Sequence, residues 1–238
     1  MSKIVTKLLG SIKRNPTQGA METFDREELE DKEYVQGVTS LKYNDVGSRA
    51  QRVFALEGWH RENIGESAER VLIIHAGFDG EVARYAEDVL VFYGIIRGDR
   101  PLYGAKNVKA FMPSVEEGIV EGIESGFVIL GKGDYKYIAD GNKNVAVYVA
   151  RPHAVLAEKG EDMKNVFYVD ENTMYALRLI SYDILHGIIG SFSDVEPPKT
   201  PKEFDELYET LSMAMDYLIC IADEEAVPLE EVLGKGKR

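Results

Sequence analysis

Apolar positions are unevenly spread along the chain. Residues 15–50 carry an acidic cluster (Glu22, Asp25, Glu27, Glu28, Glu30, Asp31, Glu33) and few apolar residues with a clear period. This predicts an arm or loop-rich lead-in around one short helix. Val53, Phe54, Leu56 and Trp59 begin the part with something to bury. Val71 to Ile74 is an unbroken aliphatic run, read as a buried strand that ends in a turn at His75-Ala76-Gly77. Gly80 to Asp88 suits a helix with Asp79 as its N-cap, and Val89–Ile96 suits a second strand. Val115, Ile119 and Ile123 have helical spacing. Strands are then predicted at Phe127–Leu130, Tyr135–Ile138, Val145–Val149 and Val166–Val169, with Asp140-Gly141-Asn142 as a turn.

The last third changes character. Asn172–Ile189 and Pro201–Glu225 read as long helices, parted by the proline-rich Glu196–Pro201. Thr200 is a natural N-cap, Pro201 fits the first helical turn, and Glu203 completes a capping box. Phe204, Leu207, Leu211, Met215, Leu218 and Ala222 make one apolar stripe, so this helix needs a partner surface. A short helix at 228–233 follows, and neither an internal repeat nor a low-complexity run stands out. The expected fold is α/β or α+β, with a mixed sheet at about 69–170. Its parts are a polar arm over 1–50, a mixed α/β core over 51–170, and C-terminal helices over 171–238 that pack on the core or stand apart.

Charge and composition narrow the classes. The net charge of −13 disfavours duplex nucleic acid, and no apolar stretch reaches the length of a membrane span. A single cysteine, Cys220, rules out an intrachain disulfide and makes a reducing, cytoplasmic setting the expectation. Cys220 lies in an apolar helical stretch and is expected to be buried and inert. The segment 1–14 runs against the overall charge. Lys3, Lys7, Lys13 and Arg14 alternate there with Ile4, Val5, Leu8, Leu9 and Ile12, the pattern of a short surface or partner-docking helix. His60, His75, His153 and His186 show no ligand spacing, so no metal is expected. The turn after Ile74 has neither a dinucleotide fingerprint nor a P-loop ending.

Arg97 at a strand end, Ser114 after Met112-Pro113, and the acids of Glu158-Lys159-Gly160-Glu161 stand in a suggestive order. The order resembles the Arg–Ser–Glu class of ADP-ribosyltransferases over about 75 residues. That family's Ser-Thr-Ser is here Met112-Pro113-Ser114, and its two acids are one residue further apart. The resemblance implies Arg97 on the phosphates of NAD, Ser114 in the nicotinamide-ribose pocket, and Glu158 or Glu161 stabilising the ribosyl cation. A guanidinium and a carboxylate are the groups that such charges need. The end of the chain is also similar to the last helices of all-α nucleoside triphosphate pyrophosphohydrolases. Met213 stands where an acid is needed and Asn172–Ile189 offers only Asp183, so a solvated acidic face accounts for it better. Two function classes follow. One is a non-enzymatic assembly or interaction protein that forms homo-oligomers, or binds a protein partner, through its N-terminal arm and C-terminal helices. The other is an ADP-ribosyltransferase-like enzyme using NAD on a macromolecular target.

Overall fold

A computed structural model describes residues 35–36, 50–60, 63–78, 81–96, 102–115, 121–133, 141–150, 163–190 and 198–235. The fold is α/β, with a mixed sheet through the middle of the chain and helices toward its end. The strands are β1 (Val35–Gln36), β2 (Arg52–His60), β3 (Arg70–Phe78), β4 (Asp88–Phe92), β5 (Ile95–Ile96), β6 (Asn107–Val115), β7 (Ser125–Gly133), β8 (Asn144–Val149), β9 (Val166–Tyr168) and β10 (Val227–Pro228). The helices are α1 (Glu171–Ile189), α2 (Pro201–Glu224) and α3 (Leu229–Lys235). Neighbouring strands follow chain order and pair in parallel, except that β10 lies antiparallel to β9.

The register exposes a repeat that the linear reading missed. Val53, Val71, Val89, Val108, Gly126 and Val145 stand side by side, so each coil of chain advances by 18 or 19 residues. Each of the first four of these valines follows an alanine by three residues (Ala50, Ala68, Ala86, Ala105), and all four alanines are fully buried. The opposite wall is laddered too. Ala83 N–H donates to Ile64 C=O (2.7 Å), Leu102 N–H to Val82 C=O (2.9 Å), and Gly104 N–H to Gly122 C=O (3.1 Å). The chain therefore winds as a solenoid, each coil burying its apolar side against the next.

Strand alternation divides the core in two. Inward residues such as Val71, Ile73, Val89, Val91, Val108 and Leu130 fill the coil interior. Outward residues such as Phe54, Leu72, Ile74, Phe92, Phe111 and Ile129 form an apolar outer face that α1 and α2 cover. Both faces are dry, which is why Val71–Ile74 is a continuous apolar run rather than an alternating one. At the last coil, β10 pairs with the edge of β9, and Leu229 of α3 is buried in the interior cluster. This closes an edge that would otherwise be open for pairing.

Several sequence expectations need correction. No helix forms over 81–88, because Ala83 (φ 51°) and Tyr85 (φ 59°) turn a left-handed corner. That corner buries Val82, Ala83 and Ala86 in the interior, so coil closure overrides a helical spacing. His75-Ala76-Gly77 is not the end of a strand but lies within β3, where His75 has φ 49°. The strand expected over Val89–Ile96 breaks at Tyr93 (φ 68°) into β4 and β5. Val115 belongs to β6, while Ile123 is buried just before β7, so the Val115–Ile123 helix fails at both ends. Tyr135–Ile138 and residues 1–34 lie outside the described residues, and β1 adds a short parallel strand within the expected arm. The Gly141-Asn142 turn holds, with Gly141 at φ 66° and Asn142 Oδ1 accepting from Ile123 N–H (2.9 Å).

Candidate functional site: the helical cover and its outer surface

The helices begin where the capping chemistry places them. Asp170 accepts from the amides of Asn172 (2.7 Å) and Thr173 (3.1 Å) at the start of α1, and its carboxyl is held below its usual range by the Thr173 hydroxyl first. Thr200 Oγ1 accepts from Glu203 N–H (3.2 Å), and Glu203 reaches back to the Lys199 amide (2.7 Å). From there α2 crosses the coils in turn. Asp205 meets Arg52 and Arg70, Asp216 meets Lys109 (2.6 Å), and Asp223 accepts from the Tyr148 hydroxyl (3.0 Å). Asp205 to Asp223 is about 27 Å of helix, and the five strand steps beneath it come to about 24 Å. Helix rise and strand spacing thus stay in step, which lets one helix serve six coils.

The Asp205 contact is the strongest of these. Arg52 donates to both its oxygens (2.9 and 2.8 Å) and Arg70 adds a third hydrogen bond (3.0 Å). Chiefly through the Arg52 hydrogen bonds, the carboxyl is held below its usual range. A depressed folded value means that the stabilisation is complete above the unfolded pKa near 3.9, and is lost as pH falls through the folded value. We therefore expect Asp205→Asn to lower the melting temperature at pH 7 by about 2–4 °C, or about 1 kcal/mol after discounting for partial exposure. The gap between variant and wild type should close in the acid range below about pH 4. Thermal unfolding of both proteins from pH 7 to pH 3 checks this, and a gap of constant size would contradict it.

A second cluster sits where α1 crosses the irregular ends of β3 and β4. Arg178 Nε donates to Tyr93 Oη (2.7 Å), with its guanidinium 6.0 Å from the ring centre. The Tyr93 ring lies 5.5 Å from His75, 6.0 Å from Phe111 and 6.5 Å from Tyr182, and Tyr182 lies 4.6 Å from His186. Both His75 and Tyr93 have left-handed backbone; Tyr93 meets the helix through Arg178 and Tyr182, and the His75 ring packs against Tyr93. The result is aromatic packing plus one guanidinium–phenol bond, chemistry that fixes a helix on a sheet. Tyr148 lies beneath α2 and Tyr208 is on the buried side of α2 itself, and burial raises both phenols well above their ordinary value.

The outer side of the cover is unusual. Tyr175 (62%), Leu179 (49%) and Tyr182 (41%) are exposed along α1, and Met213 (66%) and Tyr217 (57%) along α2. Single exposed apolar side chains are ordinary; here large ones recur at helical spacing on two adjacent helices. Cys220 lies three residues after Tyr217 and is exposed, contrary to the buried thiol expected. Leu218 and Ala222 take the buried positions on either side of it. Exposed acids flank this stripe on α2: Glu206, Glu209, Asp216 and Glu224.

The residues singled out by the ADP-ribosyltransferase resemblance are less visible. Arg97, Glu158 and Glu161 lie outside the described residues. Ser114 is in β6, its backbone in register with Ile95 of β5 and Lys132 of β7. Among the described residues, no three His, Cys, Asp or Glu side chains gather as metal ligands, and no helix is long and apolar enough to cross a membrane. The fold and cover define a parallel β-solenoid with one face sheathed by two helices. Comparison with protein-family models, curated proteins and solved structures found no match.

Proposed function

We propose that the chain is a non-enzymatic assembly or interaction protein that forms oligomers through its N-terminal segment and C-terminal helices. One observation carries this reading: α1 and α2 bury one side in the sheet and present large apolar side chains outward on the other. Keeping tyrosine, leucine and methionine in water gains nothing for the fold, whereas burial in an interface is worth roughly 25 cal/mol per Å².

A second reading is an ADP-ribosyltransferase-like enzyme with Arg97 on NAD and Ser114 with Glu158 or Glu161 as its catalytic groups. The observation that favours it is the register of Ser114 with Ile95, two residues before Arg97 in sequence. One experiment separates the two: light scattering beside thermal unfolding, with and without millimolar NAD. The assembly reading expects a mass well above 26.6 kDa and no response to NAD. It also expects Met213→Asp with Tyr217→Asp to bring the mass down toward a single chain. A single-chain mass at every concentration would sink the assembly reading, and an NAD-dependent rise in melting temperature would favour the enzyme.

A further inference from the structure

Deepening that reading, and resting on it, we infer that the basic segment 1–14 of one copy docks on the acidic, apolar-centred outer face of α2 in another copy. The acceptor is built from residues three, four or seven apart. Met213 and Tyr217 form its apolar centre, with Glu206, Glu209, Asp216 and Glu224 exposed around them. Helix α2 as a whole carries seven acids and one lysine. Arg52, Arg70, Lys109 and Lys202 offset part of that charge, and an excess of acid remains.

The donor has the complementary pattern in a chain whose net charge is −13. Segment 1–14 contains Lys3, Lys7, Lys13 and Arg14 and no acid. Ile4, Val5, Leu8, Leu9 and Ile12 fall at steps that place them on one side of a helix, with Lys7 and Lys13 nearer its borders and Lys3 and Arg14 toward the opposite side. Laid along α2, the apolar side covers Met213 and Tyr217. The stems of Lys7 and Lys13 extend over the flanks to bring their ammonium groups to the acids, and Lys3 and Arg14 add to the longer-range attraction. A helix of 14 residues is about 21 Å long, enough to run from the turn of Glu206 to that of Cys220. The 20 residues between Arg14 and β1 reach at most about 70 Å, ample for contact with a neighbour. Like-charged bodies repel, so a basic arm meeting an acidic face also supplies the attraction that copies of a strongly acidic chain otherwise lack.

The exposed Cys220 provides the test. One full-length chain carries Ser11→Cys and Cys220→Ser, and is mixed with the wild-type chain, whose only thiol is Cys220. A short bis-maleimide can then join the two thiols only between chains. We expect a cross-linked pair at twice the chain mass, absent from either protein alone. It should weaken at least several-fold when the wild-type partner carries Glu206→Lys and Glu209→Lys, and also at high salt. No cross-linked pair in the mixture overturns the proposal. So does a separate chain, carrying Ser11→Cys with Cys220 kept, that cross-links only within itself, since the arm is then an internal strap. Light scattering on the same samples separates this failure from that of the assembly reading. A multimer without the cross-link leaves assembly standing by another route, and a single-chain mass removes both.

Discussion

Replacing Gly126 with alanine is expected to cost about 3 kcal/mol and lower the melting temperature by roughly 6–12 °C. Gly126 has φ 119°, a conformation that residues with a side chain rarely adopt. A Cβ built on it would stand 1.9 Å from the carbonyl oxygen of Val108 and 2.8 Å from that residue's N and C atoms. These are backbone atoms of the adjoining strand, so relief requires β6 and β7 to move apart in the middle of the sheet. The prediction runs against the repeat itself. The other coils place valine at this register position, so a consensus argument would nominate Gly126→Val as stabilising. Geometry makes it the worse of the two substitutions. Gly187→Ala is the natural control. Nothing lies within 4 Å of its Cβ position and it sits in the last turn of α1, where alanine is the better helix former by up to about 1 kcal/mol. Thermal unfolding of the three variants would decide the matter, and an unperturbed Gly126→Ala protein would refute the close packing of β6 on β7.

That register also explains what could and could not be read from the sequence. The buried strand at Val71–Ile74, the strands near 127–130, 145–149 and 166–169, and both long helices were legible, because each has a period or composition of its own. So were Thr200 and Glu203 as a cap. The winding was missed, although its trace is present as alanine and valine three apart in four successive coils. The spacing drifts between 18 and 19, and the residues between the anchors are charged and variable, so the signal is small side chains in register rather than a motif. The helix expected at 80–88 failed for a related reason. Val82, Ala83 and Ala86 have helical spacing, but they face inward because a left-handed corner turns the chain back toward the sheet. Of the four candidate site residues, Ser114 is described only by its backbone register, while Arg97, Glu158 and Glu161 are outside the described part. The outer face of α2 was half visible. Its buried stripe was read from periodicity, but Met213, Tyr217 and Cys220 are apolar in the same stretch and are told apart only by knowing which side meets the sheet.

Two positions on α2, separated by a single residue, should therefore give opposite results. Leu211 is fully buried against the outward face of the sheet, in the cluster that holds Phe54, Leu90 and Phe111. Leu211→Ala is expected to cost about 3 kcal/mol, within the 2–5 kcal/mol range for such truncations, and so to lower the melting temperature by roughly 6–12 °C. The loss combines transfer of the side chain with a void that the rigid sheet below cannot collapse to fill. Met213 points the other way and is 66% exposed. Met213→Ala removes almost no contact within the chain, so stability should stay within about 0.5 kcal/mol. If the outer face of α2 is the contact between copies, this quiet substitution shifts the mass seen by light scattering toward a single chain. Leu211→Ala would lower the mass only where it unfolds the chain. Equal effects of the two substitutions on melting would mean that the helix is rotated from the orientation described, and the docking surface on α2 would go with it.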